Sequence, residues 1–316
     1  MIKKLNNELL GILKDTFNSS EMKIIEKNFE IEKRNPSFRV NILKWNKEDI
    51  LSELKDNNLI VREISFLEDF FILENGIERD LWNLDLYKYG KIYLQSLSSV
   101  LPVNLFSNFK KENIKILDTT AAPWWKTSQL SAKFPNAEIY AFEKNKIRFE
   151  KMIYNLKKLW CSNVKAINDD VMNTSNYVND LDFFDYILFD APCTGEGNIN
   201  LNKEKTYSSW DIKYVNKNYK LQKNILKTVI PYLKSSWEII YSTCTLNPIE
   251  NENIVHFILC NFSELEIKSL DLDYKYLKKP LKSFRWSFYR KDVENAIRII
   301  PNEETEGFFI AKFRKN

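Results

Sequence analysis

Two short segments place cysteine and aspartate directly after apolar stretches that predict buried strands. One is Asp190-Ala-Pro-Cys193, which follows an apolar stretch beginning at Tyr186, and the other is Thr243-Cys244. A lone cysteine in this kind of fold is usually a small buried hydrophobe, but both of these cysteines lie in polar turns. We therefore regard Cys193, Cys244 and Asp190 as candidates for one reactive centre, where thiols and a carboxylate can carry covalent or proton-transfer chemistry.

A third segment has the pattern of a cofactor-binding turn. The apolar pair at 116–117 predicts the end of a strand, and Thr127 predicts the start of a helix. Between them lies a loop of small residues, 119–123, which leaves backbone N–H groups and the helix dipole pointing at a ligand. The loop then continues into Trp124 and Trp125, where such a turn favours the smallest side chains.

Acidic residues follow the next two predicted strands. Glu143 stands where an acid usually holds ribose hydroxyls, and Asp169 follows the third strand. Each acid taken alone is equally consistent with a cap for the next helix, and Lys144, Lys146 and Arg148 are typical of a solvated helix start. Because the carboxyl ends of parallel strands meet at one edge, we expect the acids beside the cysteines, at an adenosine-type cofactor site.

The composition is that of an ordinary globular protein. The 316 residues are 44% hydrophobic and 28% charged, and no apolar run approaches the roughly 18 residues of a membrane span. The first residues lack a signal-peptide pattern, so we expect a cytoplasmic protein that has no membrane partner. We also expect the protein to be a monomer. Four cysteines without CxxC spacing and the single His256 argue against a metal site, and we expect Cys161 and Cys260 to be buried.

The order of predicted elements indicates an α/β protein with a small module before its main domain. Residues 1–34 predict amphipathic helices, and 35–104 predict a small α+β module and connector, which the resemblance described below implies is RNA-facing. From 105–316 strands and helices alternate, which predicts a mostly parallel, doubly wound sheet. Two apolar strands at 296–300 and 307–312 predict an antiparallel pair that closes the edge of this sheet.

The net charge of +4 is a weak indication of a polyanionic partner. Five cations near the start of the module predict either a modest basic face for nucleic acid or an ordinary solvated surface, with about equal weight on composition alone. These cations are Lys33, Arg34, Arg39, Lys44 and Lys47.

Several motifs together resemble the RNA cytosine-5 methyltransferases of the Sun (RsmB-like) family. Paired Pro-Cys and Thr-Cys motifs at two strand ends are a specific signal, and the likeness covers about residues 35–316. The motifs are Asp190-Ala-Pro-Cys-Thr-Gly, Tyr241-Ser-Thr-Cys-Thr-Leu-Asn-Pro-Ile-Glu-Asn-Glu, Ala121-Ala-Pro-x-x-Lys-Thr, Tyr93-Leu-Gln-Ser-Leu-Ser-Ser, Arg298-Ile-Ile-Pro and Glu306-Gly-Phe-Phe-Ile-Ala.

The resemblance implies a Rossmann-like class I methyltransferase domain that uses S-adenosylmethionine and acts on rRNA or tRNA. It implies that Cys244 adds to C6 of a cytosine, that Cys193 assists its release, and that Asp190 contacts the base edge. Lys126 is expected to lower the pKa of a thiol or to hold a carboxylate. The implied cofactor-binding residues are Thr120, Ala121, Ala122, Pro123, Trp124, Trp125, Lys126, Glu143, Arg148, Asp169 and Asp190.

The tryptophans depart from the family pattern. Trp124, Trp125, Trp160 and Trp237 stand where the family has glycine, and the chain holds only 6 Gly against a typical share of about 7%. Either the gene uses UGA for glycine and was translated with UGA as tryptophan, or the indoles are genuine and the protein is an inactive RNA-binding relative. We favour the first explanation, because random decay would not replace glycine by tryptophan repeatedly while sparing both cysteines. In the printed chain we expect the indoles at 124 and 125 to obstruct the cofactor pocket.

The sequence leaves several questions open. It does not decide whether Trp45 and Trp286 belong to the affected set, whereas Trp82 and Trp210 have the surroundings of ordinary tryptophans. It does not choose between tRNA and rRNA. A DNA cytosine-5 enzyme is a weaker alternative, because that family lacks the second Thr-Cys turn.

Overall fold

The computed structural model describes residues 4–43, 45–108 and 111–316, so Lys44 of the predicted basic face lies outside the described residues. The helices and strands are numbered along the chain. The helices are α1 (Asn7–Thr16), α2 (Ser19–Phe29), α3 (Lys47–Asp56), α4 (Glu78–Asn83), α5 (Asp85–Lys88), α6 (Leu97–Asn104), α7 (Trp125–Lys133), α8 (Lys146–Lys158), α9 (Ile212–Val229) and α10 (Glu252–Asn261). The strands are β1 (Ser37–Val40), β2 (Val61–Glu63), β3 (Phe70–Leu73), β4 (Ile92–Leu94), β5 (Lys115–Asp118), β6 (Glu138–Phe142), β7 (Val164–Ile167), β8 (Phe184–Asp190), β9 (Leu233–Thr243), β10 (Leu265–Lys268), β11 (Leu277–Lys278), β12 (Ser283–Phe284), β13 (Ser287–Phe288), β14 (Ile297–Ile299) and β15 (Phe308–Lys315).

The largest sheet confirms the predicted α/β class. Its strand order is β11-β14-β15-β9-β8-β5-β6-β7, and β10 also pairs with β15. The five strands from β9 to β7 are parallel, whereas β15, β14, β11 and β10 are paired antiparallel. The predicted closing pair does not form the edge itself, because β15 lies between β9 and β14 and the short β11 pairs outside β14.

Alternating side chains explain why the parallel strands are apolar throughout. Successive residues of a strand point to opposite faces, and both faces of this sheet are covered. Ile116 and Ile139 pack in one buried cluster, whereas Leu117 and Tyr140 pack in the cluster on the other face. The sheet is therefore held rigidly between two cores, which fixes the positions of the strand ends that carry the polar turns.

The module before the main domain is an antiparallel sheet of order β2-β3-β1-β4 covered by α3. Its last strand, β4, belongs to the predicted connector, and α6 continues that connector onto α7 of the main domain. The helices α1 and α2 pack on Ile199, Leu201 and Leu246, which follow the two cysteine motifs. The boundaries 1–34, 35–104 and 105–316 stay predictions.

The structure removes Arg39 from the cations considered as a basic face, whereas Lys33 is exposed. Arg39 is only 7% exposed, and its guanidinium donates to Ser128 Oγ of α7 at 2.8 Å and to Gln95 Oε1 at 3.3 Å. Lys47 lies 2.6 Å from Glu63 in an ion pair. Arg39 therefore joins the module to the main domain, and no sequence pattern indicates this contact because its partners are distant along the chain.

Among the residues that the structure describes, no helix is both long enough and apolar enough to cross a membrane.

Candidate active site at the carboxyl edge of the sheet

A cavity of about 370 Å³ opens at the carboxyl ends of β5, β6 and β8. This volume lies within the range of about 300–1,000 Å³ that is usual for small-molecule sites. The cavity brings together every predicted site residue except Trp124. Its lining includes Thr120, Ala121, Ala122, Pro123, Trp125, Lys126, Glu143, Arg148, Asp169, Asp190, Cys193 and Cys244.

The two cysteines face each other across neighbouring strand ends. Cys193 Sγ lies 3.4 Å from Cys244 Sγ, and both side chains are half-buried. The hydrogen bond to Cys244 and burial raise the pKa of Cys193 well above its usual value, and the negative charge of Asp190 adds to this effect. Cys193 therefore keeps its proton at neutral pH and can donate a hydrogen bond to the other sulfur.

Asp190 is oriented by two donors from different elements. Lys126 Nζ of α7 lies 2.7 Å from Asp190 Oδ2, and Ser242 Oγ of β9 donates to Asp190 Oδ1 at 2.7 Å. Lys126 also donates to Ser99 Oγ at 3.0 Å and is nearly buried. Of the two roles considered for Lys126, the geometry supports the holding of a carboxylate.

The acids on the other side of the cavity occupy the predicted strand ends. Glu143 is almost fully buried and accepts a hydrogen bond from Asn145 N–H at 2.7 Å. Arg148 lies 3.5 Å from Glu143 and also donates to the Ala122 carbonyl, so it is more than part of a solvated helix start. Asp169 accepts from Asn173, from the backbone of Asp170 and from Tyr177, and these bonds lower its pKa.

The two tryptophans of the loop behave differently. Trp124 has φ 95°, in the left-handed region that favours glycine, and its ring packs with Tyr93 and Met152 rather than lining the cavity. Trp125 begins α7, two residues before the predicted start, and forms a wall of the cavity with 39% of its surface exposed. The expectation that both indoles obstruct the pocket is therefore wrong, because Trp124 turns into the protein and an open cavity remains.

The other two tryptophans that stand where the family has glycine, Trp160 and Trp237, also differ from each other. Trp160 has φ 64° directly after α8, where a glycine commonly ends a helix. Trp237 lies inside β9 rather than in a turn, and the left-handed residue there is its neighbour Ser236 with φ 70°. Left-handed backbone thus supports a glycine origin for Trp124 and Trp160, but it does not do so for Trp125 or Trp237.

Sequence reasoning missed Asp118, which is the last residue of β5. Its carboxylate is buried beside the cavity and accepts from Thr127 Oγ1 at 2.7 Å, and burial raises its pKa to about 6. Its position as a charged residue at the end of an apolar strand was the available signal. Of the two cysteines expected to be buried, Cys161 is buried, whereas Cys260 is exposed on α10 because it lies on the outer face of that helix.

Comparisons with known proteins show the family of the chain. A sequence model described as "16S rRNA methyltransferase RsmB/F" matches residues 107–314. The chain is 32% identical over 284 residues to a tRNA (cytosine(49)-C(5))-methyltransferase of Pyrococcus abyssi, covering 89% of this chain and 88% of that protein. The chain belongs to the RsmB/F methyltransferase family.

Some of the relatives are much longer than this chain. A ribosomal RNA small subunit methyltransferase F of Vibrio atlanticus is 28% identical over 88% of this chain, which spans only 57% of that relative. The crystal structure of a methyltransferase homolog from Pyrococcus horikoshii has a TM-score of 0.84 at 28% identity, covering all of this chain and 97% of that one. A second structure, NSun6 from the same organism, has a TM-score of 0.82 at 20% identity over all of this chain and 99% of that one, and supports the fold alone.

Proposed function

We propose that the protein transfers a methyl group from S-adenosylmethionine to C5 of a cytosine in RNA. The observation that carries this proposal is the pair of sulfur atoms 3.4 Å apart, beside an oriented Asp190 and an open cavity. Membership of a methyltransferase family supplies the reaction class. A cytoplasmic monomer acting on tRNA or rRNA is part of the same proposal.

The cavity has the features that an adenosine-containing methyl donor needs. S-adenosylmethionine, when bound, supplies an electrophilic methyl group. Glu143 is nearly buried yet borders the cavity, so its carboxylate is placed to accept hydrogen bonds from ribose hydroxyls. Asp169 and the backbone of 120–123 line the remaining wall, where they would hold polar groups of the same molecule.

Cys244 acts as the nucleophile in this proposal. Its thiolate forms a bond to C6 of the cytosine, which makes C5 an enamine-like carbon that can take the methyl group. Loss of the C5 proton to solvent then re-forms the C5–C6 double bond, and the sulfur leaves as a thiolate. Cys193 keeps its proton and donates a hydrogen bond to that departing sulfur, which stabilises the negative charge as it appears.

Asp190 binds the base edge. Lys126 and Ser242 occupy one oxygen each, so the carboxylate has a fixed orientation and free lone pairs toward the cavity. A carboxylate at N3 favours protonation of that nitrogen while the thiolate adds to C6. The target base must leave its stack to reach this position.

Detection of 5-methylcytidine by mass spectrometry tests the proposal. The chain is incubated with S-adenosylmethionine and total tRNA or rRNA, and Cys244→Ser should abolish the product. Cys260→Ser is the matched control, because Cys260 is an exposed cysteine on α10, outside the cavity. Methylation that persists in Cys244→Ser would exclude this nucleophile, and bisulfite sequencing of host RNA with and without the gene would identify the substrate.

A second candidate function is RNA binding without methylation, and it applies if the indoles are genuine. It is favoured by Trp125, whose indole forms part of the cavity wall. The codons decide between the two. UGA at 124, 125, 160 and 237 supports an active enzyme with glycine at these positions, whereas UGG there removes that explanation. UGG is expected at Trp82 and Trp210.

A further inference from the structure

A buried pair of carboxyl groups, Glu196 and Glu250, lies directly behind the two cysteine-bearing loops. Glu196 follows Cys193 by three positions and Glu250 follows Cys244 by six, and both side chains are buried. The mechanism proposed above uses neither of them. Two carboxyl groups in the same buried site need a reason, because each is unfavourable there unless hydrogen bonds or protons compensate for its charge.

Glu196 holds both loops at once. Its carboxyl group accepts hydrogen bonds from the hydroxyl of Thr194 at 2.8 Å and from the hydroxyl of Thr245. These threonines directly follow Cys193 and Cys244 in the sequence. A third donor, Trp210 Nε1, lies 2.7 Å from the same carboxyl group.

Glu250 holds the loop of Cys193 from the opposite side. It accepts from the backbone N–H of Thr194 at 3.2 Å, and it contacts the hydroxyl of the same residue. Gln222 of α9 donates to Glu250 at 3.0 Å and to the carbonyl of Pro192 at 2.9 Å. The Glu250 carboxyl group and the Gln222 amide therefore hold the backbone on both sides of Cys193, at Thr194 and at Pro192.

The hydroxyl group of Thr194 indicates that one of the two carboxyl groups, Glu196 or Glu250, carries a proton. This hydroxyl lies within hydrogen-bond distance of both carboxyl groups but has only one proton to donate. One carboxyl group must therefore carry a proton and donate to Thr194 Oγ1. Burial raises the pKa of Glu196 as well, but hydrogen bonds from Trp210 and Thr194 oppose that shift. Burial together with the charge of Glu196 raises the pKa of Glu250 to about 8, so we assign the proton to Glu250.

We propose that protonated Glu250 and ionised Glu196 form a clamp, through Thr194 and Thr245, that sets the separation of the two catalytic sulfur atoms. Both are positioning residues, and the inference rests on the proposed function. The titratable groups that face Glu250 are Glu196 and Cys193 from the loop after β8 and Tyr241 from β9, whereas α9 presents the neutral Gln222 and Asn218. Because these titratable neighbours are all acids, ionisation of Glu250 at high pH would repel Glu196 and open the clamp.

The first test compares three variants over pH 6.5–9.5, using the rate of cytosine methylation. Glu250→Gln keeps a donor of similar size, so we expect activity close to the parent at neutral pH without the parent's decline above about pH 8. Glu250→Ala should lose about 100-fold at every pH, because small displacements of reacting groups have effects of this size. Glu150→Gln, an exposed change on α8, should follow the parent.

The second test needs neither RNA nor methyl donor, so it separates this inference from the proposed function. The thiol oxidant diamide converts two adjacent thiols to a disulfide and is itself reduced. We expect rapid formation of the Cys193–Cys244 disulfide in the parent and in Glu250→Gln at pH 7, and slow formation in Glu250→Ala. If Glu250→Gln is as slow as Glu250→Ala, or if its methylation declines at high pH as the parent's does, the clamp is overturned.

Discussion

The two halves of the site lie on neighbouring strand ends, yet they differ in how well their residues suit the backbone conformation and the hydrogen-bond partners around them. Around the cysteines, Asp190 has both Lys126 and Ser242 as donors, and the threonine beside each cysteine donates to one buried carboxyl group. In the loop at 119–125, Trp124 has φ 95°, in the left-handed region that favours glycine. The side chains around the cysteines are held by hydrogen bonds, whereas the half around the loop at 119–125 contains a residue, Trp124, that is ill suited to its backbone.

This difference has a physical meaning. An L-residue with a side chain is disfavoured in the left-handed region by about 1–2 kcal/mol, whereas glycine adopts it freely. Trp160 after α8 has the same conflict in a region without catalytic groups. Tryptophan in left-handed backbone at two separate places, in a chain that keeps both cysteine motifs, favours a misread codon over loss of function.

The largest effect should come from Lys126→Met, which removes one of the two donors that orient Asp190. Without the ammonium group, Asp190 loses its orientation and its charge is left partly buried, so we expect kcat to fall about 100-fold or more. The measurement is the methylation rate in the Trp124→Gly, Trp125→Gly background. Lys144→Met is the control, since Lys144 borders the cavity but pairs with Asp170; equal losses in both variants would contradict the role of Lys126.

The double change Trp124→Gly, Trp125→Gly should improve ligand binding by the loop at 119–125. Removing the indole at the cavity wall lets the backbone approach the ligand, so we expect S-adenosylmethionine to bind about tenfold more tightly. Isothermal titration calorimetry measures this against Trp82→Gly, an exposed change on α4 that should leave affinity unchanged. Unaltered or weaker binding by the double variant would mean that the indoles suit the pocket.

The smallest effect tests the same backbone conflict away from the site. Trp160→Gly should raise the free energy of unfolding by about 1 kcal/mol, because glycine adopts φ 64° without a penalty. Urea denaturation compares it with Trp160→Ala, which keeps a Cβ in the left-handed region and should gain far less. Equal stabilisation by both variants would assign the effect to the exposed indole, which is 50% exposed, rather than to the backbone.

Much of the fold and the rim of the site could be predicted from the sequence. The parallel strands are continuous apolar runs, and the motifs after β8 and β9 placed Cys193 and Cys244 at one edge. Contacts between distant positions could not be predicted in this way. Arg39 packs on α7, and Glu196 with Glu250 joins two loops, because only the folded sheet brings these residues together.

The turn of the Trp124 ring away from the cavity was also beyond the sequence. Side-chain size predicted obstruction, but the left-handed backbone directs the indole toward Tyr93 and Met152. The short strands β11, β12 and β13 have only two residues each, which is too few for a periodic pattern to indicate.

Covalent capture of RNA is the most direct test of the roles proposed for Cys193 and Cys244. In the Trp124→Gly, Trp125→Gly background, Cys193→Ser should accumulate a protein–RNA adduct that survives a denaturing gel, because release of Cys244 is slowed. Adding Cys244→Ser to that variant should remove the adduct completely. An adduct that persists without Cys244, or a Cys193→Ser protein that methylates RNA at the parent rate and accumulates none, would contradict the assignment of the two cysteines.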